Sequence, residues 1–181
     1  MDSPANGSTP CIIALSEGEI AEVHVEPNKL FFFILNHNGI VIKKNQYFTG
    51  NHKKPVIALS KNRIAEVHCR PLDSTIHFLL LNREGKVIKK GDKSISTNAA
   101  HGHLAMTVQP NGDLFVLHKR SIPVCDDALL YDVICSDDGK RISGGKIDKG
   151  SYPTITTLRD KSLIEIHQGA SSLFYNIFKP K

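Results

Sequence analysis

The sequence predicts an all-β protein, a β-propeller of about four four-stranded antiparallel blades. A four-residue motif that ends in histidine occurs four times, as Ala21–His24, Ala65–His68, Phe115–His118 and Ile164–His167. Around each copy lie short apolar runs separated by turn residues, which is the pattern of an array of small antiparallel sheets. No long stretch shows the periodicity of an amphipathic helix. These three observations favour repeated β-sheets over any helical fold.

The repeats divide one propeller-like domain, residues 1–181, into units at about 10–54, 55–102, 103–150 and 151–181. The first unit is predicted to hold strands at Ile12–Leu15, Ile20–Val25, Leu30–Leu35 and Ile40–Lys43, with Gly39 in the last hairpin turn. Ile57–Ser60 repeats Ile13–Ser16, and the third unit is more divergent. The fourth unit ends with its third strand, Leu173–Phe178. The last blade is therefore either incomplete or closed by the N-terminal residues 1–9.

Two other repeat folds fit less well. A β-trefoil has three repeats, and a solenoid would need shorter and more regular coils. In a propeller, successive four-stranded sheets bury their faces against one another, which explains inner strands that are apolar on both sides. If nothing pairs with Leu173–Phe178, that strand is an exposed edge that invites a partner chain. We therefore expect a four-bladed monomer first and a ring shared by two chains second.

The repeated motif places an acid and a histidine on one side of a strand, because residues i and i+2 of a strand point the same way. The third unit keeps His118 but has Val116 in place of the acid. Such a pair could bind sugar hydroxyls, form half of a metal site or transfer protons. It could also hold the blade together by bonding buried backbone groups. The candidate ligand-binding residues are Glu22, His24, Glu66, His68, His118, Glu165 and His167.

The repetition argues against catalysis, because one active site does not need four copies. We therefore expect no enzyme activity, no cofactor and no bound metal. The loop from Gly91 to His103 is the one segment that suggests otherwise, since His101 and His103 would share a face of an extended chain and could ligate a metal. A polar loop without chemistry is the favoured interpretation of that segment.

Net charge leaves an anionic partner open. The formal charge is +5 and the pI about 9.0. Lys44 and Lys90 follow the predicted fourth strands, at the outer edge of a propeller. Lysines there prevent strand pairing, and they could also form a basic rim for acidic glycans or membrane surfaces. A small net charge mainly serves solubility, so we expect no nucleic-acid partner.

Cysteine spacing and hydropathy exclude several classes. Cys11, Cys69, Cys125 and Cys135 include no pair at a two-residue spacing, so a zinc site is not expected. We interpret them as buried or inert thiols and leave a Cys125–Cys135 bridge open. No run approaches 18 apolar residues, so no transmembrane segment is predicted. Met1–Pro10 lacks the design of a signal peptide. We expect a cytoplasmic protein or one secreted without a signal peptide.

The motif as a whole resembles the repeat of the seven-bladed fucose-binding lectins of insect-pathogenic bacteria. It stands here as Pro55–Leu59 with Glu66–His68, and as Pro153 with Glu165–Gln168 and Leu173–Tyr175. The resemblance implies a lectin-like propeller that binds a glycan or glycoprotein in clefts between blades. In the family pattern a tryptophan follows the fourth-strand isoleucine by two positions, whereas this chain has no tryptophan.

Aromatic residues recur at one position of the third strand, and we expect them to belong to the core. They are Phe32, Phe78, Tyr131 and Tyr175. The alternative to a lectin is a scaffold for protein–protein interaction, including a homodimer, that assembles through the incomplete blade.

Overall fold

The computed structural model describes residues 8–26, 29–48, 53–70, 75–90, 99–120 and 128–179. Blade 1 contains β1 (Ser8–Ala14), β2 (Ile20–Glu26), β3 (Lys29–Leu35) and β4 (Val41–Phe48). Blade 2 contains β5 (Lys53–Ser60), β6 (Arg63–Arg70), β7 (Thr75–Leu81) and β8 (Val87–Lys90). Blade 3 contains β9 (Ala99–Val108), β10 (Leu114–Arg120), β11 (Ala128–Ile134) and β12 (Arg141–Lys149). Blade 4 contains β13 (Ser151–Thr157), β14 (Leu163–Gln168) and β15 (Leu173–Phe178).

The prediction of a four-bladed, all-β propeller is confirmed. Each blade is an antiparallel sheet whose strands follow one another in chain order, with four strands in blades 1 to 3 and three described strands in blade 4. Closure of blade 4 by the N-terminus falls largely on residues 1–7, which lie outside the described residues. Ser8 begins β1, so residues 8 and 9 of the segment predicted as a possible closing strand belong to blade 1.

The inner strands surround a central cavity of about 630 Å³, lined by residues of β1, β5, β9 and β13. Each inner strand lies against the next one, β1 against β5, β5 against β9 and β9 against β13. Within the described residues, β13 and β1 make no comparable contact.

Apolar side chains fill the three seams between consecutive blades. We call the side of a blade toward the preceding blade its leading face and the side toward the next blade its trailing face. In the seam between blades 1 and 2, Val23 and Phe32 pack against Ile64 and Leu81. Equivalent clusters join blade 2 to blade 3 and blade 3 to blade 4. Burial of both faces of a sheet explains why these strands are apolar on both sides.

The outer faces of the array are different. On the trailing face of blade 4, Ile166 is 38% exposed and Tyr175 is 68% exposed. The leading face of blade 1 combines a buried Phe33 and His24 with an Ile12 that is 64% exposed. Three seams are therefore packed, and the two end faces are uncovered in part.

Inner hairpins differ by one residue between blades 1 and 2. β5 and β6 are joined at Lys61 and Asn62, both with positive φ, which is the geometry of a type I′ hairpin turn. The β1–β2 connection is one residue longer and includes a short 3₁₀ turn, Ser16–Gly18. Ile57 pairs with Glu66 in blade 2. The sequence repeat aligns Ile57 with Ile13, but the residue that pairs with Glu22 in blade 1 is Ile12. The one-residue slip brings Ile12 to the leading face.

Three of the four cysteines are described, and Cys11, Cys69 and Cys135 form no disulfide with one another. Burial raises the pKa of Cys11, which makes its thiol less reactive. Cys125, the suggested partner of Cys135, lies outside the described residues. The described chain contains no helix long and apolar enough to cross a membrane.

Candidate functional site

The predicted acid–histidine pairs form as hydrogen-bonded pairs on the leading faces of their blades. His68 Nδ1 lies 2.8 Å from Glu66 Oε2, and the pair faces blade 1. His167 Nδ1 lies 2.9 Å from Glu165 Oε1 and faces blade 3. His24 Nδ1 lies 2.9 Å from Glu22 Oε1 on the leading face of blade 1. The histidines are all buried, and so are Glu66 and Glu165.

Blade 3 obtains its acid from another strand. Val116 stands where the other blades have glutamate, and Asp132 of β11 is its cross-strand partner. His118 Nε2 lies 3.0 Å from Asp132 Oδ2, and Arg141 Nε donates to Asp132 Oδ1 at 2.5 Å. Burial alone would raise the pKa of Asp132, but the hydrogen bonds from His118 and Arg141 hold that pKa below its ordinary value. Every blade thus carries a buried imidazole beside a carboxylate.

Aromatic stacking fixes the orientation of the histidine rings. His24 stacks on Phe31 and Phe33, with ring centroids 5.6 Å and 5.2 Å away. His167 stacks on Phe174 at 5.7 Å. The second ring nitrogens of His24, His118 and His167 are buried without a hydrogen-bond partner in the described part of the chain. When a neutral imidazole donates its one N–H to the carboxylate, its second ring nitrogen is an acceptor, so the group left unpaired is an acceptor and not a donor.

These contacts do not test ligand binding by the seven predicted residues, so that role stays a prediction. The contacts show that the four pairs are separate from one another, one on each blade. A ligand could therefore meet one pair at a time.

The two lysines of the predicted basic rim lie on outer strands. Lys44 Nζ lies 5.2 Å from the ring centroid of Phe31 and 5.4 Å from that of Phe33, so it covers the aromatic surface beside His24. Lys90 ends β8 and is exposed. His103, from the segment considered for a metal, accepts a hydrogen bond from the Tyr152 backbone N–H at 3.3 Å. The side chain of His101 lies outside the described residues.

The recurring aromatic position separates the seams into two kinds. Phe32 and Phe78 are core residues, as expected. Each is covered by a turn glycine of the next blade, because a Cβ added to Gly85 would overlap Phe32 and one added to Gly139 would overlap Phe78. Tyr175 was also expected in the core, and this is wrong, since its face of blade 4 is exposed.

Tyr131 lines a cleft of about 480 Å³ between blades 3 and 4, which we call the 3–4 cleft. Blade 4 ends with β15 among the described residues, so it has no described outer-strand turn to cover this aromatic ring. The floor of the cleft is formed by Phe115, Tyr131 and Phe178. Its rim includes Gln109, Asn111, Asp113, Ser143, Lys161 and Lys179.

Sequence reasoning did not identify this rim. Gln109, Asn111 and Asp113 belong to the β9–β10 turn, and Lys161 belongs to the β13–β14 turn. Turn residues of this kind occur in every repeat, so their composition gives no signal that two turns meet at one cleft. Asp132 could have been found from the strand register, because an acid in an otherwise apolar strand lies opposite the position that lost its glutamate.

No protein-family model matches the sequence, and no curated protein matches it. Solved structures share its fold. The NanB sialidase from Streptococcus pneumoniae is 15% identical with a TM-score of 0.62, over 86% of this chain and 26% of that one. An endo-arabinase from Bacteroides thetaiotaomicron is 10% identical with a TM-score of 0.66, over 96% of this chain and 75% of that one. The WD40 β-propeller domain of Doa1 is 12% identical with a TM-score of 0.60, over 99% of this chain and 53% of that one.

These likenesses show the propeller fold alone. The chain spans about a quarter of the sialidase chain, 26%, and about half of the Doa1 chain, 53%. None of these findings supports the fucose-lectin resemblance at the level of sequence.

The expectation that this chain is not an enzyme is contradicted by these neighbours. Glycoside hydrolases occur among the solved structures that share its propeller fold. The argument from repetition fails because a repeated fold still contains unique places. The 3–4 cleft is one, since the seams on either side of blade 2 have a glycine turn where this seam has open space.

Proposed function

We propose that the chain binds carbohydrate in the 3–4 cleft. The observation that carries the proposal is an aromatic floor surrounded by side chains that donate and accept hydrogen bonds. Sugar sites combine an apolar ring contact with a few convergent polar groups in this way.

The floor is a fixed aromatic surface. The rings of Phe115 and Tyr131 are parallel within 5°, with centroids 5.0 Å apart. Phe178 packs against Phe115 from blade 4 at 5.3 Å. Phe115 is buried beneath, so the half-exposed Tyr131 offers the surface on which the C–H face of a pyranose would stack.

The rim supplies polar groups with fixed orientation. Asn111 Nδ2 donates to Asp113 Oδ2 at 2.8 Å, and the Asp113 backbone N–H donates to Asn111 Oδ1 at 3.0 Å. This network holds the Asp113 carboxylate, whose remaining lone pairs can accept from neighbouring sugar hydroxyls. Two lysines, Lys161 and Lys179, and one carboxylate, Asp113, give the rim a net positive charge, which favours a sugar that carries a carboxylate or a sulfate.

Two of the fold neighbours are named for carbohydrates, a sialidase and an endo-arabinase. This is consistent with the proposal, although the side chains of the cleft carry it.

A glycan array at low and moderate salt tests the proposal. We expect a glycan with an acidic sugar to bind and Tyr131→Leu to weaken its binding about fivefold, since an aromatic contact contributes about 1 kcal/mol beyond burial. Lys161→Gln should weaken the acidic glycan and reduce its salt dependence, while neutral analogues change little. Bound glycans are also assayed for hydrolysis, because the fold includes glycoside hydrolases.

Matched variants separate the cleft from other surfaces. Phe78→Leu changes the same repeat position in a seam that is filled by Gly139, so it should leave affinity unchanged once folding is verified. Lys44→Gln with Lys90→Gln removes the basic rim, and Glu66→Ala removes one acid–histidine pair. Binding that survives Tyr131→Leu but is lost in the lysine variant would move the site to the basic rim, and loss in a folded Glu66→Ala alone would move it to the seams.

A further inference from the structure

An aromatic–glycine contact joins consecutive blades, and it recurs. Phe32 on the trailing face of blade 1 lies against Gly85 in the β7–β8 turn of blade 2. Phe78 of blade 2 lies against Gly139 in the β11–β12 turn of blade 3. Both glycines have a positive φ, 73° and 72°, so each position combines a left-handed turn with close ring contact.

An aromatic residue and a turn glycine that could form one more such contact lie at opposite ends of the array, without a neighbouring blade to cover them. Tyr175 occupies the aromatic position on the trailing face of blade 4 and is 68% exposed. Gly39 occupies the turn position of blade 1, with a φ of 74°, and a Cβ added there would meet nothing within 4 Å.

Neighbouring positions show the same mismatch between residue type and burial. Ile57 on the leading face of blade 2 is 5% exposed, whereas Ile12 at the equivalent cross-strand position of blade 1 is 64% exposed. On the trailing face of blade 4, Ile177 is 52% exposed beside Ile166 and Tyr175. The side chains of a packed seam are present on both end faces.

We propose that these end faces form a head-to-tail interface, in which blade 4 of one copy packs on blade 1 of a second copy. Tyr175 of one copy covers Gly39 of the other, and Ile12 of the second copy packs near Ile166 of the first. A second copy is the occupant because every copy carries both halves of the contact that its own seams repeat twice. Within one chain the end strands β13 and β1 do not pack together among the described residues.

Charge and polarity agree with this partner. The strand residues on the trailing face of blade 4 are uncharged, so no carboxylate or lysine of these strands has to be buried from that side. The leading face of blade 1 brings the Glu22–His24 pair, and the Glu66–His68 pair lies in the equivalent place within a packed seam. Lys44 also lies on this face, over Phe31 and Phe33, and its equivalent Lys90 stays exposed at the edge of a packed seam. Head-to-tail contacts of this kind close into a ring or continue into a chain of copies.

Sedimentation velocity of the 181-residue chain tests the interface. We expect wild-type protein to associate as its concentration rises, and Ile166→Lys or Ile12→Lys to raise the dissociation constant at least a hundredfold. The two variants mixed together should form a 1:1 heterodimer, because one keeps an intact leading face and the other an intact trailing face. Ile88→Lys is the control, since Ile88 is 54% exposed on an outer strand and should not affect association.

Three results would overturn the proposal. The first is a wild-type chain that stays monomeric at all concentrations, and the second is a mixture of folded variants that does not associate. The third is association lost in Ile166→Lys but kept in Ile12→Lys, which would show blade 4 pairing with itself. Glycan binding is measured on the same monomeric variants. Its retention keeps failure of this interface distinct from failure of the proposed function, because the 3–4 cleft uses neither end face.

Discussion

At the scale of single residues, the chain maintains an imidazole–carboxylate pair on every blade even where the motif is broken. Val116 removes the acid from β10, and Asp132 restores it from β11. Arg141 then compensates the buried charge of Asp132. A buried carboxylate with two charge-assisted hydrogen bonds should contribute to stability in its ionised form.

Asp132→Asn tests this at residue scale. We expect it to lower the free energy of unfolding at pH 7 by about 1–3 kcal/mol, since it weakens hydrogen bonds to a buried charged group. The folded pKa of Asp132 lies below the ordinary value of 3.8, so its contribution is fully present above that value and is lost as pH falls through the folded pKa. Urea unfolding from pH 7 down to pH 2 should show the gap between wild type and variant closing at the acid end. A gap that stays constant over this range would contradict the role of the charge.

The sequence predicted the faces of these residues better than their partners. Alternation was sufficient to put Glu66 and His68 on one side of β6, because the strand is regular. Alternation within β10 alone could not assign Asp132 to His118, since that pair depends on the register between β10 and β11. The rim of the 3–4 cleft depends on how two blades meet, which no single repeat encodes.

At the scale of elements, the outer hairpin turn is the part that fits one blade to the next. Gly85 and Gly139 let a turn with positive φ approach an aromatic ring, and Gly39 has the same backbone conformation with open space beside it. Comparing Gly39 with Gly85 or Gly139 therefore separates the energetic cost of a left-handed backbone from the cost of crowding an aromatic ring.

Alanine substitutions at these turns provide a direct comparison. Gly39→Ala should cost about 1–2 kcal/mol, which is the penalty for a left-handed L-residue. Gly139→Ala should cost a further 1–3 kcal/mol or so, because its Cβ overlaps Phe78 and the core must shift. Thermal unfolding at a concentration where the chain is monomeric measures both. Equal losses for the two variants would show that the turn does not press on the ring.

Strand positions followed closely from apolar runs and turn residues, but the register of β1 did not. The repeat aligns Ile57 with Ile13, whereas the structure gives Ile57 and Ile12 the same cross-strand partner position. An inner connection one residue longer causes the shift, and a one-residue shift exchanges the two faces of a strand. Tyr175 was misplaced for a different reason, since burial of a repeat position requires a following blade to cover it.

At the scale of the whole molecule, stability should vary along the array because each blade contacts only its neighbours. Blade 2 is packed on both faces, between the seams that contain Ile64 and Phe78. Blade 4 is packed on one face, and the other presents Ile166 and Tyr175 to solvent. The entropic cost of ordering the strands of blade 4 is therefore offset by less burial of apolar surface than in blade 2.

Native-state hydrogen exchange measures this gradient. Amides of β14 and β15 should exchange through local opening, at least tenfold faster than amides of β6 and β7, whose exchange should approach the limit set by global unfolding. Protein below the association threshold shows the gradient fully, and protein above it should gain protection selectively in β14, β15 and the leading face of blade 1 if the end faces meet. Equal protection of blades 2 and 4 in the monomer would show that the exposed face of blade 4 does not lower its local stability, which would contradict a stability set by one-sided packing.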